Sequence, residues 1–188
     1  MKVYDFDRTL FPGDSSIHFW KYCIKRFPKV LLVIPSATVA IIRYKLGRCN
    51  WEYVTQKFFA FLKYLPSAAQ TVEDFWDEKS DKIYPWFFDV RTEDDVIISA
   101  APQFLIEPIA RRLGVHCIAT DMDINTGIIY NGECSGEEKL SRFRSRFSNA
   151  EIDEFYSDSH SDVPLARAAE RAFMIFDGEV REWDFSTN

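Results

Sequence analysis

At 188 residues the chain has room for one domain of ordinary size, or for a core carrying a large insertion. Its 47% apolar and 16% aromatic content supplies a substantial core and excludes a disordered chain, and a net charge of −6 argues against a general nucleic-acid binder. The charge is segregated: Ser15 to Lys63 holds nine Lys or Arg and one acid, Glu52, whereas Glu73 to Asp95 is mostly acidic.

Val3, Tyr4 and Phe6 read as a short β-strand. Asp5 and Asp7 fall two residues apart where it ends, with Thr9 close behind. Two carboxylates in the crevice beyond a strand end make a poor core and a good hard-cation site. Taken alone, the pair also fits an Asp-rich turn.

Phe11 to Gly13 turns the chain, and Asp14 or Ser15 can cap a helix from Ser16 to Phe27. Pro28 suits the start of a second helix that Pro35 bends or breaks, and a further piece runs from Ser36 to Leu46, stopped by Gly47. Asn50 caps the next helix, with Trp51, Val54, Phe58, Phe61 and Leu62 on its apolar face, and Ser67 to Tyr84 reads as one more. This helical block is too long for an ordinary connection after a strand and is expected to be an inserted subdomain, residues 14–89, set into an α/β core of residues 1–13 and 90–188.

From Val90 the α/β rhythm returns. Asp95 to Ser99 is a second strand ending in a hydroxyl, Pro102 to Leu113 a helix stopped by Gly114, and Val115 to Ala119 a third strand. Asp121 to Glu133, with Gly127 and Gly132, suits a pair of short strands. Gly136 to Phe147 is a helix, Ile152 to Ser157 a strand, and Ser161 to Arg171 a helix. Ala172 to Phe176 and Glu179 to Phe185 form a hairpin around Asp177 and Gly178. The expected fold is α/β, a Rossmann-like doubly wound and mostly parallel sheet with an inserted α-helical cap.

The four cysteines (Cys23, Cys49, Cys117, Cys134) are scattered and are expected to be reduced, as in a cytoplasmic protein. His18, His116 and His160 have no metal-site spacing. The chain enters its first strand directly, so no signal peptide is expected. Val30 to Ile42 is uncharged but too short to span a bilayer.

Several strand ends or helix starts carry reactive groups: Asp5, Asp7 and Thr9, then Ser99, then Lys139, then Asp158 and Asp162. Singly, each fits a turn, a solvated face or a helix dipole. Jointly and in this order they resemble the four motifs of the haloacid dehalogenase superfamily, over the whole chain. The resemblance implies a Mg²⁺-dependent phosphatase. Asp5 matches the nucleophile that forms an aspartyl-phosphate, and Asp7 the general acid and base. The Asp5 carboxylate, the Asp7 main-chain carbonyl and the Asp158 carboxylate match the metal ligands. Ser99 and Lys139 match the groups that hold the phosphoryl oxygens, Asp162 the acid that orients the metal site, and Thr9 the supporting hydroxyl. Because Asp7 is present, phosphoryl transfer is expected rather than dehalogenation.

The helical insertion resembles that of the subfamily with phosphoserine phosphatases, but Asp14 stands where those carry a Glu for the substrate amine, and Ser99-Ala100-Ala101 replaces their Ser-Gly-Gly. The surroundings of Pro102 to Glu107, Cys134 to Lys139 and Tyr156 to Asp162 are similar to C-type phosphatidylglycerophosphate phosphatases. The expected substrate is such a phospholipid headgroup, with a soluble metabolite such as phosphoserine as the alternative. A catalytically silent phosphate-binding module is the alternative of another class. No nucleic acid is expected. Lys21, Lys25, Arg26 and Lys29 precede the apolar run and Arg43, Lys45 and Arg48 follow it, which suits peripheral contact of the cap with an anionic membrane at the inner face. That run equally suits the cap's own core. Arg8, in place of the family's commoner Gly, is expected at the cleft mouth as a substrate contact beside Asp14.

Overall fold

A computed structural model describes residues 1–186. Five parallel strands and one antiparallel edge strand form a single sheet. They are β1 (Lys2–Tyr4), β2 (Val96–Pro102), β3 (His116–Thr120), β4 (Ile152–Ser157), β5 (Ala169–Phe176) and β6 (Glu179–Glu182), in the order β3-β2-β1-β4-β5-β6. β1 lies near the middle, with Val3 and Tyr4 fully buried, which is why its short run is apolar on both faces. The chain builds outward from β1 through β2 to β3, then returns to place β4 on the other side of β1. That reversal opens a crevice beyond the carboxyl ends of β1 and β4, the position where open α/β sheets bind ligands.

The helices are α1 (Ser15–Arg26), α2 (Ile34–Lys45), α3 (Trp51–Phe59), α4 (Ala68–Lys79), α5 (Pro85–Val90), α6 (Gln103–Leu113), α7 (Glu137–Arg146) and α8 (Val163–Ala168). Asp14 caps α1 through the Ile17 amide and Asn50 caps α3 through the Tyr53 amide, as their spacing predicts. Pro28–Val33 is a 3₁₀ stretch, and Pro35 sits in the first turn of α2, where its missing N–H leaves no helical bond unmade. In the segment between β1 and β2 every regular element is a helix or 3₁₀ turn. Its α4 is fused to the sheet side of the molecule: the Trp76 indole donates to the Leu105 carbonyl at 2.6 Å and packs edge-on against Phe6 and Phe11. Glu73 and Asp77 of α4 take Arg111 and Arg112 of α6, which gives part of the acidic run from Glu73 its partners.

The helix after Asn50 ends at Phe59, leaving Phe61 and Leu62 in a 3₁₀ turn, and the last strand ends at Glu182 rather than Phe185. Four further expectations fail for identifiable reasons. The helix expected over 67–84 ends at Lys79, and a 3₁₀ turn and a new helix at Pro85 follow, because Pro85 can begin a helix but not continue one. The two strands expected within 121–133 reduce to one antiparallel bridge, Met122 with Ile129, closed over Asp123 and Gly127. The helix expected to Arg171 stops at Ala168, because residues from Ala169 pair with β4, Ile152 beside Ala169 and Glu154 beside Arg171. β2 runs past Ser99 to Pro102, with a register irregularity between Ile98 and Pro102.

The last hairpin turns on Asp177 (φ 49°) and Gly178 (φ 87°), two left-handed residues that match the strand twist.

Candidate active site

The β1 ladder continues into the site. The Asp5 amide donates to the Tyr156 carbonyl of β4 at 2.8 Å, so the Asp5 side chain emerges at the crevice between those strands. After it the backbone coils tightly: the amides of Thr9, Leu10 and Phe11 all point at the Phe6 carbonyl, and Arg8 takes a left-handed φ of 59°. Phe6, Leu10 and Phe11 are fully buried beneath this loop, and their packing fixes it.

Lys139, three residues into α7, is buried and donates from Nζ to Asp5 Oδ1 at 2.6 Å and to Asp162 Oδ2 at 2.8 Å. Burial opposes its charge, but the Asp5 and Asp162 carboxylates more than offset that, and its pKa lies above the usual lysine range. Asp162 Oδ2 also accepts from Ser157 Oγ at 2.8 Å. Thr9 Oγ1 donates to Asp5 Oδ2 at 3.4 Å and accepts from the Asp158 amide at 3.0 Å, tying the first motif to the loop after β4. Two of the three Lys139 hydrogens are thereby used, leaving one for a ligand oxygen.

Asp7 makes its hydrogen bond elsewhere than to this pair. Its Oδ1 accepts from the Ser15 amide at 2.8 Å, and it lines a cavity of about 330 Å³ between the helical segment and the sheet. Burial is the main cause that pushes its pKa up to about 8, with the nearby Asp14 adding to it and hydrogen bonds from Ser15 drawing it back. Asp5 is raised to about 6, again mainly by burial; Lys139 lowers it, and Asp162 and Asp158 raise it. Asp158 is also raised by burial, against the pull of Arg8.

The structure therefore brings together Asp5, Thr9, Lys139 and Asp162 in direct hydrogen bonds, with Asp158 adjoining through its amide. Ser99 is buried on β2, the strand beside β1, and its Oγ accepts from the Ala101 amide at 3.1 Å. It makes no hydrogen bond to Asp5 or Lys139 among the described residues. Asp14 lines the Asp7 cavity, whereas exposed Arg8 lines a separate cavity of about 400 Å³ with Asp158, Tyr84 and Asp177.

The donors fit a hard divalent cation. Every candidate ligand is oxygen, and one lysine stands among the carboxylates of Asp5, Asp158 and Asp162, a surplus of buried negative charge that raises Asp5. Among the described residues no three His, Cys, Asp or Glu side chains cluster as a metal cage, so a cation here would lean on main-chain, solvent or substrate oxygens as well.

Two residues escaped the sequence reading. Ser157 is fully buried and serves Asp162; its signal was a hydroxyl at the end of β4, beside Asp158. Glu133 lines the Asp7 cavity, its pKa raised by burial, and nothing local to it distinguishes it from a loop acid. Replacing Ser157 by Ala leaves buried Asp162 with one donor fewer. The expected loss is about 1–3 kcal/mol of stability by urea unfolding.

An open α/β sheet with a buried acid–lysine pair at its switch point is an α/β fold with its reactive groups where such sheets bind ligands. The chain belongs to the haloacid dehalogenase-like hydrolase family, whose model matches residues 3–167. It is 26% identical to protein CicA of Caulobacter vibrioides (strain NA1000 / CB15N) over 194 aligned positions, covering 94% of this chain and 86% of that protein. Its fold is similar to a protein of unknown function from Bordetella pertussis Tohama I (TM-score 0.73, 24% identity, 92% of this chain and 87% of that one). It is also similar to a phosphoserine phosphohydrolase-like protein from Francisella tularensis subsp. tularensis SCHU S4 (TM-score 0.55, 19% identity, 92% and 86%).

Proposed function

We propose that the protein is a Mg²⁺-dependent phosphatase that hydrolyses a phosphate monoester through an aspartyl-phosphate on Asp5. The observation that carries this reading is the Lys139 bridge between Asp5 and Asp162, which holds one carboxylate oxygen of a buried nucleophile beside a free N–H donor. An Asp5 oxygen attacks phosphorus in line, and the P–O bond to the leaving alcohol breaks. Asp7, its pKa pushed up mainly by desolvation, gives its proton to that departing oxygen. The resulting Asp7 carboxylate then takes a proton from water, whose oxygen attacks the aspartyl-phosphate and releases inorganic phosphate. Lys139 and the Ser99 hydroxyl hold the equatorial oxygens. Asp5, Asp158 and the Asp7 carbonyl would hold Mg²⁺, which supplies charge neutralisation for the transferring group.

The residues 14–89 act in this reading as a cap that shapes the leaving-group site. The cavity over Asp7 is walled by Ile17, Ile41, Val54, Phe58 and Phe59; its charged residues are Asp7, Asp14 and Glu133, with no Lys or Arg. The carboxylate of phosphoserine would meet no cation there, which favours the lipid substrate over the soluble one. A phosphatidylglycerophosphate-like headgroup would put its glycerol in the cavity and leave its diester charge to the basic residues along α2, for a cytoplasmic enzyme in peripheral contact with the inner face of a membrane. Among the described residues no helix is long and apolar enough to cross a membrane.

p-Nitrophenyl phosphate with Mg²⁺ tests the chemistry: release of nitrophenol, lost on chelation and restored by Mg²⁺, is expected. A silent phosphate-binding module would bind phosphate and release none. Comparison of phosphatidylglycerophosphate with phosphoserine tests the substrate, and preference for phosphoserine would reverse that part of the reading.

A further inference from the structure

Of the twelve residues of α2, only Ala40 is buried. Its inward side chains Ala37 and Ile41 help to wall the cavity that holds Asp7. Helical spacing puts Val39, Ile42 and Leu46 on the opposite face, at i, i+3 and i+7. These are 55%, 52% and 61% exposed, and Leu32 in the preceding turn is 63% exposed. By the same geometry Lys45 and Arg43 fall on the two edges of that apolar stripe. The apolar run therefore does not serve as the cap's own core, apart from Val30, Val33 and Ala40.

What covers this face is decided by charge. From Lys21 to Arg48 there are seven basic residues and no acid, in a chain whose net charge is −6; Arg26 is taken by Glu78 of α4, and Arg43 and Lys45 flank the stripe itself. A second copy docking by the same face would set these cations against each other, whereas an anionic bilayer pairs with them and takes up the apolar stripe. We infer that α2 is an interfacial lid: its outer face docks on an anionic bilayer, and docking controls entry to the cavity that its inner face walls. The inference rests on the phosphatase reading of that cavity. α2 meets α3 through Tyr44 edge-on to Trp51, both about half exposed, and through Arg43 over Tyr53; Ala40 is its one buried side chain, so little core packing is broken when it moves as a lid.

Flotation with vesicles of phosphatidylcholine, with or without phosphatidylserine, reads the docking, and p-nitrophenyl phosphate hydrolysis in the same mixtures reads the lid. The expected result is flotation with the anionic vesicles alone, together with a several-fold rise in kcat/KM for this soluble ester. The double variant Leu32→Glu, Ile42→Glu should lose both effects and keep the vesicle-free rate. Lys45→Gln should lower partitioning about fivefold. Wild-type flotation with an unchanged ester rate would overturn the lid. Failure to float, or a dimer in solution that Ile42→Glu disperses, would overturn the docking face. Flotation with no hydrolysis under any condition would remove the phosphatase reading, and the lid with it, while the docking face stood.

Discussion

Asp5→Asn is expected to abolish phosphate ester hydrolysis, by about 10⁴-fold or more, without unfolding the protein. Asn keeps the shape and the Oδ1 acceptor that Lys139 Nζ reaches at 2.6 Å, and Lys139 retains Asp162. What it lacks is a charged oxygen able to form the covalent bond to phosphorus. The effect on stability should run the other way. Asp5 has its pKa raised from an ordinary 3.8 to about 6, mainly by burial. A carboxylate whose folded pKa is raised holds its proton more tightly in the native state, so stability falls as pH rises from about 4 through 6. At pH 8 in chelator the native protein carries this cost, and Asn does not. Thermal unfolding should therefore place the variant level with the parent or above it, the usual opposition between a charged site and a stable one. Residual activity within tenfold of the parent would show that Asp5 is not the nucleophile.

The parts of the site that could be read from the chain are those whose signal is local. Asp5 and Asp7 follow a strand that the period and residue types identify, and Asp14 and Asn50 cap helices through amides three residues on. β4 spans Ile152–Ser157 as read, because Ile152, Phe155 and Tyr156 are strand formers and the segment is bounded by turn residues on both sides. Where the structure departs, a long-range partner has overruled a local preference. Ala169 to Arg171 would continue a helix on propensity, but the exposed flank of β4 takes them as a strand. Asp95 to Ser99 reads as a whole strand, yet β3 pairs beyond it, Pro102 beside Thr120. Glu133 reaches the Asp7 cavity through the fold of its loop, where Gly127 (φ 76°) passes so close to Phe59 that a Cβ would stand 2.7 Å from that side chain. For α2, hydropathy marked the apolar residues but could not say which of them the rest of the chain covers.

Lys139→Ala should cost more stability than any other single change at the site, about 3–5 kcal/mol in chelator at neutral pH or above. The loss is not the value of two hydrogen bonds. Asp5 and Asp162 stay buried, and the variant leaves both without the cation that compensates their removal from water. The sign with pH follows from the same charges. Lys139 lowers the Asp5 pKa, so its removal moves the Asp5 titration above 6 and widens the range over which stability falls with rising pH. Urea unfolding in chelator should therefore show a small deficit against the parent at pH 5, where Asp5 can take up a proton, and a large one at pH 8. Mg²⁺ should recover part of the pH 8 deficit, because a divalent cation beside Asp5 offsets the charge that Lys139 no longer meets, while activity stays low for want of the donor to the phosphoryl oxygens. A deficit equal at the two pH values would mean that packing of the lysine stem, and not its charge, holds α7 against the carboxyl end of β1.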